Sequence, residues 1–145
     1  MRVLGLDIGD RRIGIALSDS LGLTAQRLAV LHRTSLAADV EAIGALVAQH
    51  GVVLIVVGLP LMMSGQQGTQ ARKVATFAQR LRDQLSVPVE CVDERLTTVQ
   101  GERALLETDT SRRKRKERID QVAAQLILQH FLDTQRPSAS APKMP

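Results

Sequence analysis

The sequence predicts an α/β domain: a mixed five-stranded sheet with helices on its faces, in the order β-β-β-α-β-α-β-α-α. Three observations carry that prediction. Apolar runs at strand spacing follow one another up to about residue 31 with only turn residues between them, the signature of an antiparallel meander. From about residue 34 the apolar residues alternate between helical and strand spacing, which places two parallel strands beside crossover helices. The run Val52–Val57 consists only of Val, Leu and Ile, as in a strand buried on both faces.

Each element has its own signal. Arg2–Ile8 is short and apolar and ends in Asp-Ile-Gly. Arg12–Ser18 alternates Ile13, Ile15 and Leu17 with smaller residues, and Gly9-Asp10 suggests a tight hairpin between the two. A third strand is expected around Leu21–Leu31, after the turn signal Asp19-Ser20-Leu21-Gly22. Leu36, Val40, Ile43 and Val47 then mark a helix with a cap at Thr34 or Ser35 and a stop at Gly51. Gly58-Leu59-Pro60 terminates the fourth strand. A second helix carries Val74, Phe77, Ala78, Leu81 and Leu85, and Pro88 precedes a fifth strand, Val89–Val92. Thr97 and Gln100 have capping-box spacing and open a third helix to about Glu107. A last helix spans roughly Glu117–Asp133. The domain is thus 1–133, and the Pro- and Ser-containing stretch 134–145 reads as a disordered tail.

Composition narrows the function classes. The 145 residues make one ordinary domain, and 44% apolar content is ample for a core. With two Phe, no Tyr and no Trp, the core is aliphatic and there are no aromatic platforms for stacking bases. A single cysteine, Cys91, excludes an internal disulfide, and its apolar neighbours suggest a core position. No apolar stretch approaches the roughly 18 residues of a membrane helix, and a strand-like start leaves no room for a signal peptide, so a cytoplasmic location is expected. The net charge of +4 favours a polyanionic partner. Arg112, Arg113, Lys114, Arg115, Lys116 and Arg118 crowd into seven residues, and such a run repels itself unless an anion is present. His32, His50 and His130 share no metal-ligand spacing.

Three acidic positions need explaining. Asp7 lies inside the first apolar strand, and Asp93 and Glu94 end the fifth. Asp120 opens the apolar stripe of the last helix, followed by Ala123, Ala124, Ile127, Leu128 and Phe131. A carboxylate at the edge of a core is costly unless it is paired or metal-bound. Arg12, Arg95 and Arg118 are available as partners. Three acids converging on the carboxyl edge of the parallel strands, where sites of such sheets gather, favour a divalent metal instead. Carboxylate oxygens suit Mg²⁺ or Mn²⁺, ions that assist phosphodiester hydrolysis. Gly5, Gly9 and Gly14 around Asp7 allow either close packing or a close phosphate. Gly58-Leu59-Pro60 with Gly65 and Gly68 suggests a shaped loop leading into a helix N-terminus.

Leu4-Gly-Leu-Asp-Ile-Gly9, Arg12-Ile-Gly-Ile-Ala-Leu-Ser-Asp19, Val57-Gly-Leu-Pro60, Val92-Asp-Glu-Arg-Leu-Thr-Thr98 and Ile119-Asp-Gln-Val-Ala-Ala124 together resemble the YqgF (RuvX) family, nearly throughout the chain. The resemblance implies an RNase H-like fold related to the junction resolvase RuvC. It implies a nuclease described as processing the 5′ end of pre-16S ribosomal RNA, and formerly as a Holliday junction resolvase. It places Asp7, Glu94 and Asp120 at the family's acidic metal-binding positions, with Asp93 in reserve. Two departures stand out. Leu61-Met62-Met63-Ser64-Gly65 replaces the family's usual Leu-Asn-Met-Asp/Asn-Gly, and Arg11-Arg12 stands where Lys-Arg is common.

The expected partners are therefore nucleic acids, precursor ribosomal RNA before branched DNA, with the ribosome or its precursor as context and no membrane. Arg11, Arg12, Arg95 and the Arg112–Arg118 run are the expected backbone contacts. Paired cleavage of a junction would call for a homodimer. A non-catalytic ribosome-assembly factor is the alternative outside catalysis. An actin-like ATPase or sugar kinase, which shares the Asp-x-Gly start, needs two such domains, and the chain is long enough for one.

Overall fold

The structure is a computed structural model. It describes residues 1–96 and 112–135, with side chains in the last helix from residue 120 onward. Five strands form one sheet, β1 (Arg2–Ile8), β2 (Arg12–Ser18), β3 (Ala25–His32), β4 (Val52–Leu59) and β5 (Val89–Asp93), in the spatial order β3-β2-β1-β4-β5. The β1/β2 and β2/β3 pairs are antiparallel, and the β1/β4 and β4/β5 pairs are parallel. Three α-helices are described: α1 (Leu36–His50), α2 (Thr69–Gln84) and α3 (Arg112–Gln135). The predicted meander followed by alternating α and β is therefore the observed architecture. The helix expected after Thr97 lies outside the described residues.

Strand alternation sorts the core into two layers. Leu4, Leu6 and Ile8 of β1, with Ile13, Ile15 and Leu17 of β2, face α1 and α2, where Val40, Ile43, Val74, Phe77 and Leu81 meet them. The opposite parity, Val3, Ala16 and Val56, packs on Ala123, Ala124, Ile127 and Leu128 of α3. The apolar stripe read from Asp120 onward is thus the buried face of that helix. Helix α1 starts as its sequence indicates: Ser35 accepts a hydrogen bond from Ala38 N at 3.1 Å, and Gly51 closes the helix at φ 63°.

Several boundaries differ from the sequence reading. β3 begins at Ala25 rather than Leu21. The intervening residues form a turn in which the Asp19 carboxylate accepts Leu23 N at 2.7 Å, while Gly22 takes φ 71°. Those N–H groups hold that carboxyl below its ordinary pKa, the one to Leu23 most. Cys91 is exposed rather than buried, because β5 is an edge strand; its sulfur lies 3.9 Å from Arg82 Nη2. The last helix begins at Arg112, not near Glu117, so the basic run forms its first turns. It continues through Thr134 and Gln135, two residues that the sequence reading assigned to the tail; 136–145 lie outside the described residues.

Candidate active site

Asp7 is two residues from the hairpin tip and 5% exposed. Its cross-strand partner is Gly14. On its other side the parallel register pairs Leu6 with Val57, so Asp7 and Gly58 run side by side. The three positions cross the sheet on one face, and both neighbours of Asp7 lack a side chain. A Cβ on Gly14 would overlap the backbone carbonyl of Asp120. A Cβ on Gly58 would collide with the Ile127 side chain and lie 2.9 Å from Glu94 Oε2. The glycines therefore admit two things beside Asp7: the start of the buried part of α3, and the Glu94 carboxylate. Of the two readings open for Gly14, close packing is the one realised.

Glu94 is 3% exposed and opens a 3₁₀ turn, Glu94–Leu96, directly after β5. Strand parity decides between the adjacent acids. Val92 packs on the α3 side and Glu94 follows it there, while Asp93 is held by Arg95. Arg95 Nη2 meets Asp93 Oδ2 at 2.7 Å, and Arg95 N donates to Oδ1 at 2.9 Å. Arg95, through its side-chain hydrogen bond before its charge, holds the Asp93 carboxyl below its ordinary value. Arg95 Nη1 also donates to Met63 O at 3.3 Å, tying the end of β5 to the loop after β4. Of the two readings of Arg95, carboxylate partner is the one the geometry shows.

Asp120 sits on the same edge, but its Oδ2 accepts from Arg12 Nε at 2.7 Å. Among the described residues, no three His, Cys, Asp or Glu side chains stand close enough to hold a metal ion together. Asp7, with Gly14 beside the Asp120 backbone and Gly58 beside Glu94, lies on the face that both other acids approach, while Arg12 engages the Asp120 carboxylate. The donor chemistry fits a hard divalent cation: carboxylate oxygens only, those of Asp7 and Glu94 on buried side chains. Arg11 is exposed at the hairpin tip. The side chains of Arg112, Arg113, Lys114, Arg115, Lys116 and Arg118 lie outside what is described.

Sequence reasoning missed one cluster on this edge. Arg33 Nε pairs with the buried Asp39 at 2.9 Å, its Nη1 donates to Gly9 O at 2.8 Å, and its guanidinium lies over the Phe77 ring at 5.0 Å. No spacing rule links these four positions; only the fold brings them together.

A mixed sheet in this strand order, with acids at the carboxyl edge, defines an RNase H-like protein. The Thermus thermophilus RuvC in complex with a Holliday junction substrate shares the fold, with a TM-score of 0.58 at 15% identity over 92% of this chain and 95% of that one. The fowlpox virus Holliday junction resolvase does so at 0.55 and 11%, over 92% and 99%. The chain belongs to the RuvX family, whose model, described as Holliday junction resolvase, matches residues 1–134. Relatives named "Putative pre-16S rRNA nuclease" include one from Myxococcus xanthus, 52% identical over 94% of this chain and 91% of its own. Another, from Moorella thermoacetica, is 53% identical over 92% and 95%. Membership in this family makes the chain a hydrolase of phosphodiester bonds with nucleic acid as its partner. No helix among the described residues is long and apolar enough to cross a membrane.

Proposed function

We propose that this chain is a cytoplasmic nuclease that trims pre-16S ribosomal RNA at its 5′ end by metal-assisted hydrolysis, working on the ribosome or its precursor. The observation that carries the reading is the pair of buried carboxylates, Asp7 and Glu94, brought from separate strands to one glycine-lined face. Carboxylate oxygens are the ligands that a hard divalent cation prefers. Asp7 and Glu94 would hold Mg²⁺ or Mn²⁺ through their oxygens, and Asp120 would join them on leaving Arg12. Such an ion, when bound, supplies an activated water and neutralises the charge that develops on the departing oxygen. Arg12 holds the Asp120 charge in the free protein and turns to a phosphate oxygen as the strand arrives. Hydrolysis adds the water oxygen to phosphorus and breaks the bond to the 3′-oxygen, which takes up a proton.

The basic first turns of α3 are the proposed contact to the RNA backbone. Helix α3 has no acid in its first turn. Cations there oppose the helix dipole, an arrangement that a bound phosphate relieves. The family's description as a Holliday junction resolvase favours branched DNA as the second substrate, cut by a homodimer.

Asp7→Asn is expected to remove Mg²⁺- or Mn²⁺-dependent cleavage while leaving the fold and most RNA binding intact. Matched precursor RNA, linear DNA and junction DNA would be compared with both proteins. Near-normal cleavage by the variant would sink the site assignment, and preferential cutting of the junction by wild type would move the substrate to DNA.

A further inference from the structure

A cavity of about 410 Å³ opens between α1 and α2, on the face of the sheet away from Asp7. Its walls are Arg33, Thr69, Arg72, Lys73 and Thr76, over an apolar floor of Leu36 and Phe77. Three cations and two hydroxyl-bearing residues are the chemistry of an anion site. The anchoring of this cavity is specific. Arg33 donates to Gly9 O at 2.8 Å, Arg33 N to Arg11 O at 2.9 Å, and Lys73 Nζ lies 3.4 Å from Asp10 Oδ1. Each of these contacts falls on the hairpin tip that follows Asp7. The cavity and the carboxylates are thus two sides of one turn.

The fold consumes the charge of one of the three cations and leaves that of Arg72 and Lys73 to solvent. Arg33 has Asp39 as its partner. Lys73 and Asp10 meet only in solvent, with side chains 59% and 64% exposed. No ion pair or side-chain hydrogen bond among the described residues engages the Arg72 guanidinium. Arg72 and Lys73 also stand in the first turns of α2, which contain no acid, where cations are unfavourable to the helix itself. Packing does not require them: both are exposed.

We propose that this cavity is a second nucleic-acid contact, which takes the phosphodiester backbone of the strand flanking the cut after it crosses the β1–β2 hairpin. The proposal rests on the nuclease reading for what lies on the other side of that hairpin. Arg72 and Lys73 supply the charge, Thr69 and Thr76 the hydroxyl donors, and Arg33 fixes the cavity to the tip. The shared chemistry is the phosphodiester, and ribose and deoxyribose strands are its two sources.

The test is binding of the full chain without divalent ions, as wild type and as Arg72→Gln/Lys73→Gln. Probes are single-stranded RNAs of about 6 and about 24 nucleotides, against site sizes of roughly 4–16 nucleotides for comparable grooves, plus DNA of the longer sequence. Two lost phosphate contacts lower the slope of log K against log salt by about 1.4 for a single strand. That loss is expected with the long RNA and not with the short one. Loss of slope with the long DNA as well would extend the site to both sugars, and loss with RNA alone would assign it to ribose strands. Equal slopes for both proteins on both long probes overturn the proposal. So does an equal loss on short and long RNA, because the cavity would then belong to the primary contact. Melting temperatures of wild type and variant, measured alongside, separate unfolding from loss of binding. A wild type that binds but never cleaves would refute the hydrolytic reading and leave this contact standing.

Discussion

Asp93 and Glu94 are chemical near-twins, adjacent in sequence, and the strand sends them to different tasks. Glu94 is 3% exposed beside Gly58, while Asp93 is turned to Arg95. Because the Asp93 carboxyl is held below its ordinary value, chiefly by the Arg95 side chain, its ion pair stabilises the fold fully above that ordinary value. The contribution is lost as pH falls through the depressed folded value. Asp93→Asn should therefore be less stable than wild type at neutral pH in urea unfolding. The gap should close on acidification below about 4. A gap that stays constant to pH 2 would remove Asp93 from this role. At this scale the sequence identified the acids and arginines available to them, but not which arginine meets which acid. Asp7, Glu94 and Asp120 are legible because each is an acid at a position where apolar neighbours set the pattern. The Arg12–Asp120 and Arg33–Asp39 pairs are not, since neither spacing, 108 residues in one case and six in the other, carries a periodic signal.

Strands β2 and β4 each carry a glycine that α3 packs against, and the two glycines differ in what they face. Gly14 faces the backbone of α3 at Asp120, which cannot move without the helix. Gly14→Ala should cost about 3 kcal/mol, the upper end for overpacking, and shift Asp120 away from Arg12. Gly58 faces the ends of the Ile127 and Glu94 side chains, which can rotate. Gly58→Ala should cost about 1 kcal/mol while displacing Glu94, so cleavage suffers more than stability. Chemical denaturation beside cleavage rates measures both; similar stability losses for the two variants would contradict the distinction. Element identity was legible from period and caps, as at Ser35 and Gly51. Element ends were not. The turn before β3 depends on the Asp19 carboxylate folding back on Leu23, and the start of α3 runs through six cations that read in sequence as a loop-like charge run.

The described residues form a sheet between two dissimilar layers, with α1 and α2 on one face and α3 on the other. That arrangement was legible because β2 alternates Ile and Leu with small residues, β4 is an unbroken apolar run, and two parallel strands demand crossover helices. The charge balance of +4 conceals a more polar distribution, with cations at the starts of α2 and α3 and buried acids between them. If all six cations of Arg112–Arg118 contact a single strand, log K should fall against log salt with a slope near −4. Affinity that is flat from low to moderate salt would detach that run from the backbone. One further consequence lies in the place of α3 in the chain. It follows every strand, covers Val3, Ala16 and Val56, and brings Asp120 to the edge. A ribosome makes the rest of the molecule first. Until α3 emerges, the nascent polypeptide shows solvent one greasy side of its sheet and has only two of its three acids in place.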